Sequence, residues 1–322
     1  MTRSAQLLVT GCAGFIGSHL TERLLGSGYR VIGVDNFDSF YERSVKERNL
    51  STVLNHEAFT FIEADIRDRD WLTQLGSGID AVIHIAAKAG VRPSIEQPAD
   101  YISTNIAGTN NLLDWMREQQ VGKMVFASSS SVYGNNEKIP FSETDTVDEP
   151  ISPYAFTKRS CELLTHNYHH LYGMGVVNLR FFTVYGERQR PDLAIHKFVR
   201  MIAADQPIPM FGQGDTSRDY TYVSDTVDGI VAALAYLDTH PRAYEIINLG
   251  NNSPVTLQTL VTTLYRLMNK PPQVQHLPKQ PGDVERTYAD VSRAAELLGY
   301  QPKITLEEGL SRFVTWYKTV YT

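Results

Sequence analysis

Cysteine is nearly missing from this chain, with only Cys12 and Cys161 in 322 residues. Two cysteines so far apart build no disulfide framework and no metal-type spacing. Long apolar runs are missing too: stretches such as Gly229 to Leu237 fall well short of the ~20 residues a membrane helix needs. Met1 to Gln6 pass into an apolar strand pattern without the basic flank, apolar stretch and small-residue site of a secretory leader. The expected setting is a reducing cytoplasm, with no membrane partner. Neither sign of charge forms a long run, and 30 basic against 36 acidic side chains leave a net charge of −6. That balance argues against a sequence-independent grip on nucleic acid or anionic lipid. Internal repeats and low-complexity segments are also lacking. What is there, 42% apolar and 20% charged residues, is the composition of a globular protein whose expected partner is a small molecule.

Short runs rich in Val and Ile alternate with amphipathic stretches of helix length through the first 180 or so residues. A parallel sheet covered by helices reads this way, so the expected fold class is α/β, a doubly wound (Rossmann) sheet with a second, smaller lobe. Strands are expected at Leu7 to Thr10, Val31 to Asp35, Phe59 to Glu63, Ala81 to Ile85, Met124 to Ser128 and Val176 to Leu179. Helices are expected at Phe15 to Leu25, Asp70 to Leu75, Ile106 to Glu118 and Tyr154 to Leu171. Beyond Arg180, prolines from Pro191 to Pro302 break the chain into shorter pieces. The expected division is a cofactor domain at 1–182, to which 223–250 returns, and a substrate lobe at 183–222 and 251–322.

The first strand runs into Gly11-Cys12-Ala13-Gly14-Phe15-Ile16-Gly17 and then a helix. Glycines at a strand-to-helix turn allow a tight bend and let the backbone approach a pyrophosphate at the helix N-terminus. The spacing is G-x-x-G-x-x-G, and a glycine triplet alone is also what an ordinary turn looks like. Asp35 then ends the second strand, close to the ~20-residue distance expected of the carboxylate that binds ribose hydroxyls. A carboxylate there repels a 2′-phosphate and favours NAD, while Arg43 leaves NADP open. Asp65, at the end of the next strand, is a candidate for the adenine amino group.

Tyr154 and Lys158 are four apart in a helical stretch and share a face. Read alone they are a surface pair, and Ser128-Ser129-Ser130-Ser131 alone is a polar turn. The serines, however, end a strand at the C-terminal edge of the sheet that presents the glycine loop, where open α/β folds gather ligands. A hydroxyl, a phenol near a cationic Lys and a nicotinamide together can move a hydride and a proton to and from a secondary alcohol.

Four segments carry a resemblance: Thr10-Gly11-x-x-Gly14-Phe15-Ile16-Gly17, Ser128-Ser129-Ser130-x-Val132-Tyr133-Gly134, Ser152-Pro153-Tyr154-x-x-x-Lys158 and Arg218-Asp219-Tyr220-x-x-Val223-x-Asp225. Together they resemble the extended short-chain dehydrogenase/reductase family, sugar-nucleotide epimerase branch, over almost the whole chain. The resemblance implies tightly held NAD, a nucleoside-diphosphate sugar as substrate and a homodimer through two long helices. It places Tyr154 as acid/base, Lys158 as the residue that orients ribose and lowers the Tyr pKa, and Ser129 as the catalytic hydroxyl. Cofactor contacts are expected from Gly11, Gly14, Phe15, Ile16, Gly17, Asp35, Asn36, Asp65, Ile66, Ala86, Lys88 and Asn105, beside Tyr154 and Lys158. Substrate contacts are expected from Arg92, Ser130, Ser131, Thr183, Arg190 and Asp283, with Arg218 and Arg286 toward the diphosphate.

Within that branch, 4,6-dehydratases carry an Asp-Glu pair where this chain has Ser130 and Ser131, and UDP-glucuronate decarboxylases usually carry a Glu at the Ser131 position. Ala89-Gly90-Val91-Arg92-x-Ser94 and Phe181-Phe182-Thr183-Val184-Tyr185-Gly186, then Arg190-Pro191-Asp192, resemble UDP-glucuronate 4-epimerases. The expected function is inversion at C4 of a UDP-hexuronic acid through a 4-keto sugar. The rivals are a UDP-glucose or UDP-N-acetylhexosamine epimerase, a decarboxylase, and a protein that senses NAD without chemistry.

Overall fold

The computed structural model describes residues 4–278 and 285–321. Its first six strands are β1 (Gln6–Thr10), β2 (Arg30–Asp35), β3 (Phe59–Glu63), β4 (Ala81–His84), β5 (Lys123–Ser129) and β6 (Gly175–Phe181). They pair in parallel in the order β3-β2-β1-β4-β5-β6, with Leu8 opposite Ile32 on one side and Val82 on the other. A seventh strand, Tyr244–Leu249, is added beside β6 with Ile247 opposite Leu179, so a late segment completes the first sheet. The order reverses between β2 and β4, on either side of β1, and there the C-terminal strand edge opens a crevice.

Alternation along the strands feeds two cores. Leu7 and Val9 pack with Leu20 and Leu24 of α1 (Phe15–Gly26) on one face, and Leu8 packs with Leu112 and Met116 on the other. Fully burying a Leu of this kind contributes about 1.5–3 kcal/mol. Two helices follow β2 and β4 closely: α2 (Arg43–Leu50), which the charged sequence did not announce, and the short α3 (Val91–Glu96), with α4 (Pro98–Tyr101) next to it. Where a single helix from Ile106 was expected, a π-type turn spans Ile102–Ala107 and leads into α5 (Gly108–Glu118). The stretch from Asp70 to Gln74 is a 3-10 turn.

Helix α6 (Pro153–Tyr172) has the boundaries its sequence dictates. The Ser152 side chain accepts the Ala155 N–H at 3.1 Å, Pro153 takes the first turn, and Gly173 ends the helix at φ 70°. Beyond β6 come β7 (Thr183–Tyr185), α7 (Ala194–Ala203), β8 (Ile208–Phe211) and β9 (Ser217–Tyr222), whose strands belong to two smaller sheets. Strand β7 lies parallel to β9, placing Thr183 opposite Tyr220. Next, α8 (Val223–Thr239) packs against α1, and β10 (Tyr244–Leu249) is the strand already described. The chain closes with β11 (Pro254–Thr256), α9 (Leu257–Met268), β12 (Val274–Leu277), α10 (Ser292–Leu298) and α11 (Leu306–Tyr321). Among the described residues no helix is long and apolar enough to cross a membrane, and no group of three His, Cys, Asp or Glu side chains is arranged to hold a metal.

Candidate active site

A cleft of about 670 Å³ runs along the C-terminal edge of the sheet and continues under the second lobe. Its floor is the glycine loop. Gly11 adopts φ +75°, and a Cβ there would lie 2.8 Å from the Ala86 nitrogen; one on Gly17 would lie 1.9 Å from the Gly11 carbonyl oxygen. Only glycine fits at either position, which brings the backbone of β1 and the start of α1 against the cleft. Gly14 begins α1 without a side-chain cap, and no acidic residue sits in the first turn. The helix end thus offers backbone N–H groups and the positive end of its dipole to an anion. These observations fit a pyrophosphate and with it a dinucleotide.

Asp35 sits on the cleft wall at the end of β2 and is buried. Its Oδ2 accepts the Ala13 N–H at 3.2 Å and its Oδ1 the Phe37 N–H at 2.9 Å. Burial raises its pKa, and Lys46, 3.8 Å away, opposes that rise together with the two N–H bonds. Arg43 is not turned to the ribose position: it grips Glu63 through two 2.7 Å bonds and Glu47 through a third, and lies over the Phe37 ring. That geometry favours a ribose bearing free hydroxyls. Phe15, Ile16, Asn36, Ile66, Ala86 and Lys88 also line the cleft. Asp65 and Asn105 stand behind its wall. Asp65 accepts from Asn36 and Arg67, and although burial raises its pKa, those bonds bring it down to about 2. Asn105 holds both the N–H and the carbonyl of Lys88 and donates to Thr157 of α6 at 2.9 Å, so it clamps the loop after β4 to α6.

Tyr154 stands on the first turn of α6 and faces the cleft beside Ser129, the last residue of β5. Burial raises the phenol pKa, while the hydrogen bond with Ser129 and the charge of Arg190 lower it. Lys158, one turn on, is buried, and its Nζ donates to the Ala127 carbonyl at 2.7 Å rather than to the phenol. Burial brings this ammonium down to about 8, against Cys161 and Glu162, which raise it. Ser131 is turned to Ser129, accepting its hydroxyl at 3.1 Å, and neither Ser130 nor Ser131 lines the cleft.

Across the cleft lie Thr183, Arg92, Arg190 and Arg218. Arg190 is engaged: Asp192 takes its Nε at 3.0 Å and Nη2 at 2.7 Å, Ala89 offers its carbonyl at 3.3 Å, and the guanidinium covers the Phe40 ring. Arg218 donates to the Ser217 carbonyl at 2.9 Å. Arg286 is exposed, bridges Ser217 through the backbone and is not among the residues that line the cleft; Asp283 lies outside the described residues.

Residues 8–313 match the family described as GDP-mannose 4,6-dehydratase. The chain belongs to that family, within the short-chain dehydrogenase/reductases. A relative from Thermodesulfobacterium geofontis named UDP-glucuronate 4-epimerase is 44% identical over 314 residues, which cover 97% of this chain and 95% of the relative. Among solved structures, a UDP-glucuronic acid 4-epimerase from Bacillus cereus in complex with UDP-glucuronic acid and NAD is 37% identical, with a TM-score of 0.92 over 98% of this chain and 100% of the other. A UDP-glucose 4-epimerase from Thermotoga maritima with UDP-glucose is 32% identical, with a TM-score of 0.89 over 98% of this chain and 100% of the other.

In this member of the GDP-mannose 4,6-dehydratase family several residues of the site carry no motif. Lys46 and Asn49 of α2 are buried, and Asn49 donates to the Ala13 carbonyl at 3.0 Å, bracing the glycine loop from behind. Tyr101 meets the Tyr154 ring edge-on at 6.3 Å and donates to the Ala89 carbonyl that Arg190 also uses. Asp219 accepts three backbone N–H groups, from Asn251, Asn252 and Ala289, and so ties the second lobe together. Unlike the others, Asp219 stands in a motif the sequence shows, Arg218-Asp219-Tyr220; what the motif does not show is its bonds, which join segments far apart in the chain.

Proposed function

We propose that the chain is an NAD-dependent epimerase that interconverts UDP-glucuronate and UDP-galacturonate by inversion at C4. The observation that carries this reading is the Ser129–Tyr154 pair on the same cleft as the glycine cradle, with serines and no carboxylate at positions 130 and 131. The names of the relatives and the bound molecules of the Bacillus cereus structure support the substrate and the cofactor. Gly11, Gly14 and Gly17 with the start of α1 would hold the pyrophosphate, and Asp35 the adenosine ribose. Bound NAD supplies the acceptor, and then the donor, of the C4 hydride.

Tyr154 takes the proton of the 4-hydroxyl as the C4–H bond breaks, leaving a 4-keto sugar. Ser129 holds the same oxygen through its hydroxyl. After the sugar turns about its diphosphate, Tyr154 returns the proton to the oxygen on the other face, so both bonds are restored and no net oxidation results. Lys158 keeps a cation beneath the pair, favouring the phenolate. The 4-keto uronate is a β-keto acid, which loses carbon dioxide when its carboxylate bond aligns with the carbonyl π system. Thr183, on the cleft wall, holds the carboxylate out of that alignment, and no acid at 130 or 131 assists dehydration.

A neutral hexose is the second reading, favoured by the hold of Asp192 on Arg190, which occupies the Nε–Nη2 edge of its guanidinium. The reading also takes 1–182 with 223–250 as the cofactor unit and 183–222 with 251–322 as the substrate lobe. A homodimer through α5 and α6 is part of it, supported on α6 by Phe156 and Leu163, exposed and two helical turns apart. So is a reducing cytoplasm, supported by the free thiols of Cys12 and Cys161. Incubation with UDP-glucuronate and with UDP-glucose, followed by separation of products, tests the reading. UDP-galacturonate as main product supports it; UDP-xylose would make the protein a decarboxylase, and turnover of UDP-glucose alone a neutral-sugar epimerase.

A further inference from the structure

Strand β5 ends against α6 in a buried polar cluster that the reaction above does not use. Glu162 lies one turn beyond Lys158 and two beyond Tyr154, on the same face of the helix. Its carboxylate is 0% exposed: Oε1 accepts the Ser128 hydroxyl at 2.6 Å and Arg180 Nε at 2.9 Å, while Oε2 accepts Arg180 Nη2 at 2.9 Å and Arg159 Nη1 at 3.2 Å. Arg180 stands opposite Ser128 in the β5–β6 register and is 1% exposed, its guanidinium 4.8 Å from the centre of the Tyr133 ring. Lys158 meanwhile donates to the Ala127 carbonyl. Consecutive residues at the end of β5, Ala127 and Ser128, are therefore tied to successive turns of α6. The next residue is Ser129.

Stability alone is a poor reason for this arrangement. A buried ion pair is often no better for folding than apolar side chains of similar volume, and here Arg180 Nη1 is buried without a hydrogen-bond partner among the described residues. What the pair does supply is direction, because a guanidinium fork on a carboxylate fixes both groups in orientation as well as distance. Neither Glu162 nor Arg180 lines the cleft. We propose that Glu162 and Arg180 are positioning residues whose pair sets the Ser128–Ser129 end of β5 against α6, so that the Ser129 and Tyr154 hydroxyls meet in register for proton transfer. The proposal rests on the epimerase reading for the reaction it serves.

The test replaces the pair with apolar side chains, E162M/R180M, and separately removes its tie to the strand, Ser128→Ala. Both proteins are characterised by thermal melting, copurified NAD content, kcat and KM, on UDP-glucuronate and UDP-glucose beside the wild type. The expected result for folded E162M/R180M is wild-type NAD content and KM with kcat lowered about 10- to 100-fold, the scale of a misplaced catalytic group. Ser128→Ala is expected to lose a smaller part of kcat, again without change in KM. A folded E162M/R180M with wild-type kcat overturns the proposal, and so does a change confined to KM. Loss in Ser128→Ala beside a normal E162M/R180M also overturns it, since Ser128 would then act by itself. If E162M/R180M does not fold, Ser128→Ala decides, and an unchanged kcat there overturns it. A wild type that turns over only UDP-glucose refutes the substrate reading and leaves the positioning proposal to be judged on that sugar.

Discussion

On the cofactor side of the cleft, β1, β2 and the start of α1 present backbone and one buried carboxylate, Asp35, braced from behind by Asn49 and Lys46. On the side proposed for the sugar, the segment from Thr183 to Asp192 and strand β9 present a hydroxyl and arginines whose forks are engaged by Asp192, Ala89 or Ser217. The first wall has no room to adjust, since a single methyl group at Gly11 or Gly17 collides with backbone. The second can exchange partners, because a ligand carboxylate or phosphate can replace a protein acceptor on an arginine. A fixed wall suits a cofactor that stays, and an exchangeable one suits a sugar that must turn over within the site.

Tyr154 lies where the walls meet, and Tyr154→Phe is expected to have the largest effect. Turnover should fall about 100- to 10,000-fold with sugar-nucleotide affinity nearly unchanged, as for a lost general acid–base. A large affinity loss with normal turnover would instead make Tyr154 part of the binding wall. Next comes Gly17→Ala, which tests the rigidity of the cofactor wall: its Cβ would sit 1.9 Å from the Gly11 oxygen. Overpacking of this kind costs about 1–3 kcal/mol, and the variant should melt lower and purify without NAD, read by releasing the cofactor and quantifying it. Retained NAD would mean that the loop gives way.

The parts of these walls that were legible in the sequence are those with a local pattern. Gly11, Gly14, Gly17 and Asp35 follow or end strands that short apolar runs mark, and Tyr154 and Lys158 follow a Ser-Pro helix start. Helix α2 was not legible because Arg43–Leu50 has no apolar stripe and buries Lys46 and Asn49 instead. Glu162 and Arg180 escaped for a related reason: charged residues are by default exposed, and only their mutual contact across the fold buries them. The pairing of Arg190 with Asp192 was hidden too, since residues two apart in a loop have no fixed geometry.

Smaller effects sharpen the contrast. Asp35→Asn removes the charge that repels a 2′-phosphate, so preference for NAD over NADP should shrink at least about tenfold in binding titrations. Equal affinity of the wild type for both would remove Asp35 from its role. Burial brings Lys158 to about 8, so its charge is present below that pH and is lost as pH rises through it. With the charge absent altogether in Lys158→Met, the Tyr154 phenolate loses support and the acid limb of kcat/KM should move to higher pH; an unmoved limb would separate Lys158 from the phenol. Thr183→Ala, on the exchangeable wall, should lower epimerisation only about two- to tenfold, the worth of one hydrogen bond, and raise carbon dioxide release. No change in either would detach Thr183 from the carboxylate.

Transient oxidation at C4, with the same hydrogen returned to the opposite face, is tested most directly by UDP-glucuronate carrying deuterium at C4. Mass spectrometry of the UDP-galacturonate formed should find the deuterium retained on the sugar. Product that has exchanged its label for solvent hydrogen would contradict the account.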